Sequence, residues 1–158
     1  MCLFLPLSLF AQATETFSRL RDIKLLRVER QEVEALFGSK TTLMGSMWDE
    51  YVLSDGRITF HYSPGRCGKE NRDGWDVPKG VLTRIFFEPG DDATPESLKI
   101  DLTGFRKYEV SDAPGQVSYE NPKIGLDVGV LASGKVSIIE LYPSTDLDER
   151  FSCTKNRR

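Results

Sequence analysis

Between residues 124 and 142 the chain alternates apolar and polar side chains on both sides of a Ser-Gly turn. Ile124, Leu126, Val128 and Val130 lead into Ser133-Gly134, and Val136 opens the return run to Tyr142. A period of two sends one set of side chains to each face, so the segment reads as a β-hairpin. A second hairpin is written over residues 48–53 and 57–62, about the turn Ser54-Asp55-Gly56. In its second strand Ile58, Phe60 and Tyr62 share one face, and Thr59 and His61 the other. Residues 80–88 predict another strand, apolar on both faces in places; 97–102 and 105–110 read as strand or turn, and 117–119 as a short strand. Consecutive hairpins with short turns build an antiparallel sheet.

Such a sheet needs cover for its apolar face. From Val28 to Gly38 the apolar positions Val33, Leu36 and Phe37 recur at helical spacing among Glu29, Arg30, Glu32 and Glu34. Gly38 is a natural stop, because glycine accepts the left-handed conformation that ends many helices. Residues 22–26 predict a short strand or extended lead-in, and 63–79 and 89–96 predict long polar loops. The predicted fold is α+β: a curved antiparallel sheet of about five to seven strands, with one N-terminal helix packed on one face. The 158 residues fit one domain.

The first residues predict export. Residues 2–10 are uncharged and apolar, too short a run to cross a bilayer, and Ala11-Gln12-Ala13 places small residues where a signal peptidase reads them. No Lys or Arg precedes the run, but Pro6 within it argues against a buried helix or strand. The expected division is a signal peptide at 1–13, an α+β domain at 14–153, and a disordered basic tail at 154–158 carrying Lys155, Arg157 and Arg158. Cys2 would leave with the signal, so Cys67 and Cys153 remain as an even pair. In an oxidising compartment such a pair forms a disulfide. The expected location is secreted or periplasmic, with no transmembrane segment in the mature chain and a monomeric state.

Charge narrows the partners. Lys and Arg number 21 against 24 Asp and Glu, a net charge of −3, and the basic residues are scattered. Nucleic-acid binding needs a concentrated basic surface, so it is not expected. The expected partner is another protein or an envelope component.

Motifs for chemistry are few. Gly65-Arg-Cys-Gly-Lys69 lacks both the glycine spacing and the hydroxyl of a phosphate-binding loop. A single histidine, His61, supplies neither a histidine metal site nor a serine triad with its elbow. Asp91-Asp92 and the group Asp146, Asp148 and Glu149 read as acidic surface loops without calcium-loop spacing. No catalytic residue, metal or cofactor is expected. The most distinctive segment is 67–80, where Trp75 sits in a polar, charged loop. Either Trp75 folds back to plug the sheet's end beside the disulfide, or it anchors a partner together with Arg72 and Lys69.

The helix ending Val33-Glu-Ala-Leu-Phe-Gly38, the run Tyr51-Val-Leu-Ser-Asp-Gly-Arg-Ile-Thr-Phe-His-Tyr62, the stretch Gly74-Trp-Asp-Val-Pro-Lys-Gly80 and the closing Arg150-Phe-Ser-Cys153 resemble uncharacterised secreted proteins of soil bacteria such as the acidobacteria. More distantly, the helix-to-glycine and hairpin arrangement is similar to the SmpA/OmlA outer-membrane lipoproteins and the β-lactamase-inhibitor-protein fold. That likeness implies a small α+β module that binds other proteins. The chain departs from the lipoproteins in lacking a lipidated cysteine, and in having one predicted helix where they have two. The functional expectation is a non-enzymatic binding or envelope-associated module. The alternative is a secreted hydrolase working with a carboxylate pair.

Overall fold

A computed structural model describes residues 9–39, 42–43, 45, 47–111 and 113–154. Two helices come first, α1 (Leu9–Asp22) and α2 (Arg30–Phe37), then eight strands and a closing helix. The strands are β1 (Thr42–Leu43), β2 (Trp48–Leu53), β3 (Gly56–Tyr62), β4 (Leu82–Pro89), β5 (Arg106–Glu109), β6 (Gln116–Asn121), β7 (Leu126–Leu131) and β8 (Val136–Leu141); α3 (Thr145–Phe151) follows. They form one open antiparallel sheet in the order β1-β2-β3-β4-β8-β7-β6-β5. Two four-strand meanders therefore meet at their last strands, where Ile85, Phe86 and Phe87 pair with Leu141, Glu140 and Ile139.

The α+β class and the antiparallel sheet agree with the sequence reading, and β1 is a two-residue extension of seven longer strands. Register follows the hydrophobic alternation. Tyr51 pairs with Ile58, Ile58 with Phe87, and Val128 with Ile139, which lines all of them on one face. All five are essentially inaccessible to solvent. A one-residue slip anywhere would turn this set out into water.

Helix α1 was not foreseen. Its Ala13, Phe17 and Leu20, four and three residues apart, are buried in the main core. The expected cut after Ala13 lies inside this helix, and residues 2–8 and the Lys155, Arg157, Arg158 tail lie outside the described residues. The short strand or extended lead-in expected at 22–26 is instead the end of α1 and a tight turn. Leu26, at φ 62°, is the left-handed residue of that turn, and it is held there by its N–H donating to the Leu82 carbonyl at 2.9 Å. Helix α2 starts where the Glu29 N–H donates to the Glu32 carboxylate at 2.8 Å and stops at Gly38, whose N–H donates to the Glu34 carbonyl.

Residues 97–102, which read as strand or turn, begin in a turn and form no strand. Ser97 and Thr94 exchange side-chain and backbone hydrogen bonds, and Pro95 sits between them. These local bonds close a turn in place of a ladder. Leu98 and Ile100 still enter the core, with Leu102 and Phe105 packed against it. The Thr14 hydroxyl donates to the Ser97 carbonyl at 2.7 Å, tying this connection to α1.

Beneath α2 the core holds charge. Asp49 is fully buried on β2 and meets Arg30 of α2 at 2.9 Å, while the Arg30 guanidinium lies 4.5 Å over the Tyr62 ring. Burial, and then the charge of Asp49, pushes the Tyr51 hydroxyl up to about 12 and the Tyr62 hydroxyl higher still. Phe37 stacks on Tyr51 and Phe60, with ring centroids 6.0 and 5.3 Å away.

Candidate functional site

The loop between β3 and β4 is organised by Asn71, a buried residue. Its side-chain amide donates to the carbonyls of Gly65 at 2.5 Å and Trp75 at 2.8 Å. Gly74 packs so closely that a Cβ there would run into the Asn71 side-chain oxygen. The loop is fastened by the Cys67–Cys153 disulfide, with Cα atoms 5.4 Å apart. Next to it the backbone of Trp75 bridges Ser152, the Asp76 N–H donating to the Phe151 carbonyl and the Cys153 N–H to the Gly74 carbonyl. A polar loop is thereby sewn to the end of the chain at several points.

Trp75 packs against a second apolar cluster formed by Leu26, Val77 and Val81 with Leu147 and Phe151. Its indole N–H donates to Asp148 at 3.2 Å, and the Arg84 guanidinium lies 5.4 Å from its ring centre. These contacts are those of the plug. The same ring also borders a cavity of about 530 Å3, which Lys69 and Arg72 line as well. The three residues named from sequence thus line one cavity.

The rest of the lining includes sheet side chains: Trp48 of β2, His61 of β3, and Thr83 and Arg84 of β4. Trp48 and His61 are cross-strand partners with ring centroids 4.1 Å apart. Thr83 is an extra residue where the β3–β4 register shifts after His61. Its hydroxyl donates to the His61 carbonyl at 2.9 Å and lies 3.0 Å from His61 Nδ1. A hydroxyl has one proton. With that proton on the carbonyl, Nδ1 is the donor to Thr83, and Nε2 is left as the ring's acceptor. Burial first, and the Arg84 charge second, hold His61 below its ordinary pKa, so the imidazole is neutral at pH 7. Sequence patterning placed His61 on the correct face, but gave no sign that Trp48, His61 and Arg84 would meet the loop.

The cavity mixes charges, with Lys69, Arg72 and Arg84 against Glu70 and Asp73. Among the described residues no three His, Cys, Asp or Glu side chains converge to hold a metal. Of the acidic residues noted in the sequence, Asp92 meets Lys135 at 3.1 Å, and Asp148 accepts the Trp75 indole N–H.

A separate row of carboxylates lies farther along the same sheet face, where Asp127 pairs across the ladder with both Glu120 and Glu140. Glu140 is pushed up, chiefly by burial, although Arg84 at 3.1 Å opposes this. Asp127 accepts from the Ser118 and Tyr108 hydroxyls, and Glu120 meets Arg106 and the Tyr142 hydroxyl. Among the described residues no helix is long and apolar enough to cross a membrane. No family model matches the chain, and comparison with curated proteins and with solved structures finds no match either.

Proposed function

We propose that this chain is a non-enzymatic, exported binding module that takes a protein or envelope component at the cleft between the 64–75 loop and the sheet. One observation carries the reading. Lys69, Arg72 and Trp75, brought in by a disulfide-tethered loop, face Trp48, His61 and Arg84 across a single cavity. Aromatic and arginine side chains on a fixed frame are what binding hot spots are made of. Fastening the loop at Cys67 and Asn71 lowers the entropy lost on capture. The disulfide supports an oxidising location, secreted or periplasmic. The resemblance to secreted proteins of soil bacteria and, more distantly, to the SmpA/OmlA and β-lactamase-inhibitor-protein modules fits the same role.

The test is capture of partners from a native envelope extract by the immobilised chain. Lys69→Glu with Arg72→Glu changes two exposed side chains and should abolish recovery while leaving the melting temperature unchanged; Trp75→Ala should abolish it too, with some loss of stability. Equal recovery by native and charge-reversed chains would sink the proposal. The hydrolase alternative draws on the neighbouring carboxylates Asp127 and Glu140 and their unequal surroundings. Hydrolytic turnover lost in Glu140→Gln would favour it.

A further inference from the structure

A second cavity, of about 410 Å3, opens at the turn between α1 and α2. The turn after β6 and the chain leaving β8 form its other side. Its floor is apolar: Leu20 of α1 and Leu141 of β8 are core residues almost wholly removed from solvent. Its charged lining consists of Arg21, Lys24 and Arg27, all exposed, with no carboxylate among the lining residues. Asp22, in the same stretch, is not among them. On a chain of net charge −3 this is a local reversal of sign. The cleft described above differs, since Glu70 and Asp73 there oppose its cations.

The lip is held in place on both sides. Leu26 is buried in its left-handed conformation, and the Arg27 and Val28 N–H groups both donate to the Lys24 carbonyl at 3.2 Å. The Arg21 guanidinium sits 5.8 Å from the Phe17 ring centre. Across the opening, Gly125 has φ 67°, and a Cβ there would strike the Tyr142 carbonyl oxygen, so only glycine allows the turn to close on β8. That closure leaves Ile124, an apolar side chain 54% exposed, beside the cavity.

The geometry points to a site for one single-chain anionic amphiphile, its head group on Arg21, Lys24 and Arg27 and its chain over Leu20 and Leu141. Three cations in a lining without a carboxylate select an anion. A floor of core leucines next to an exposed isoleucine selects a hydrocarbon tail. The volume is that of a small-molecule site.

Calorimetric titration with monomeric dodecanoate tests the assignment. Saturable one-to-one binding is expected, with dodecyltrimethylammonium failing to bind and acetate, which has the head but no chain, failing also. Arg21→Gln with Lys24→Gln and Arg27→Gln should weaken dodecanoate binding at least tenfold, and Ile124→Glu should do the same. These side chains are exposed, so circular dichroism and melting should match the native chain. Lys69→Glu with Arg72→Glu should leave dodecanoate binding intact, which separates this site from the partner cleft. No saturable binding, equal binding by the triple variant, or equal binding of the cationic amphiphile would overturn the assignment. So would binding to phosphatidylglycerol vesicles with none to dodecanoate, because that is surface adsorption and not a pocket.

Discussion

The two meanders of the sheet have the same strand count and opposite surroundings. The first, β1 to β4, follows two helices and carries the aromatic core: Tyr51, Phe60, Tyr62 and Phe87, all inaccessible, with Phe37 stacked on two of them. The second, β5 to β8, follows an irregular connection that contributes Ala93, Leu98 and Ile100 to the core. Its inner face is mostly aliphatic, with Val128, Val136 and Ile139 buried, and its edge strand β5 exposes all four residues, Arg-Lys-Tyr-Glu. Charged side chains on an edge discourage pairing with another chain. The contrast shows that hairpin patterning states that strands pair and leaves open what covers them. The candidate cleft also belongs to the first meander, where the loop joining β3 and β4 neighbours the aromatic core.

The largest test concerns the tie between the first meander's loop and the segment after the second. Replacing Cys67 and Cys153 with serine frees a crosslink spanning 86 residues, and the chain-entropy relation puts the loss at about 4 to 5 kcal/mol. Denaturant melts of oxidised and variant chains would measure it. Hydrogen exchange should rise first in the 63–76 loop and in α3, and rise later in β6 and β7. A uniform rise would break the idea that the tie is local to the cleft.

Core truncation compares the halves directly. Phe60→Ala removes a ring packed against Tyr51 and Phe37 and should lose about 4 kcal/mol. Val128→Ala, fully buried in the second meander, should lose about 2 kcal/mol. Equal losses in urea unfolding would erase the distinction between an aromatic and an aliphatic half.

The charged pair under α2 should matter less, and in a specific way. Asp49→Ala strands Arg30 beside two tyrosine rings and should lose about 3 kcal/mol, whereas Arg30→Met combined with Asp49→Leu should stay within about 1 kcal/mol of native. A double variant as unstable as the single would show that the pair itself, rather than its breaking, supports the helix.

The smallest effect is electrostatic. His61 has a folded pKa below its ordinary 6.5. Below that ordinary value the unfolded chain gains a proton that the folded chain refuses, so stability falls as pH drops from about 6.5 and levels off beneath the folded pKa. Arg84→Gln should move the titration upward and shrink the slope. The chain has one histidine, so its ring resonances report this without assignment.

Much of the sheet was legible because a period of two survives in single sequence segments. The β2–β3 and β7–β8 hairpins, the α2 stop at Gly38 and the pairing of Cys67 with Cys153 could all be read locally or by parity. Helix α1 was hidden because Ala13 also fits the pattern of a cleavage site, although Phe17 and Leu20 continue its helical spacing. Residues 97–102 read as strand or turn, and the Thr94–Ser97 hydrogen bonds, short-range but weakly signalled, decide for the turn. Asn71 gave no signal at all. Its partners are loop carbonyls whose directions no sequence pattern encodes.

The sequence by itself determined the class of fold, which side chains face inward and how one long loop is tied, since periodicity, turn chemistry and cysteine parity act over a few residues or need only counting. Only the tertiary structure decided that Trp48, His61 and Arg84 meet Lys69, Arg72 and Trp75, and that Arg21, Lys24 and Arg27 line an apolar hollow. Those meetings depend on strand order, on the register shift at Thr83 and on turns closed by Leu26 and Gly125. Each is set by the packing of residues far apart in the chain.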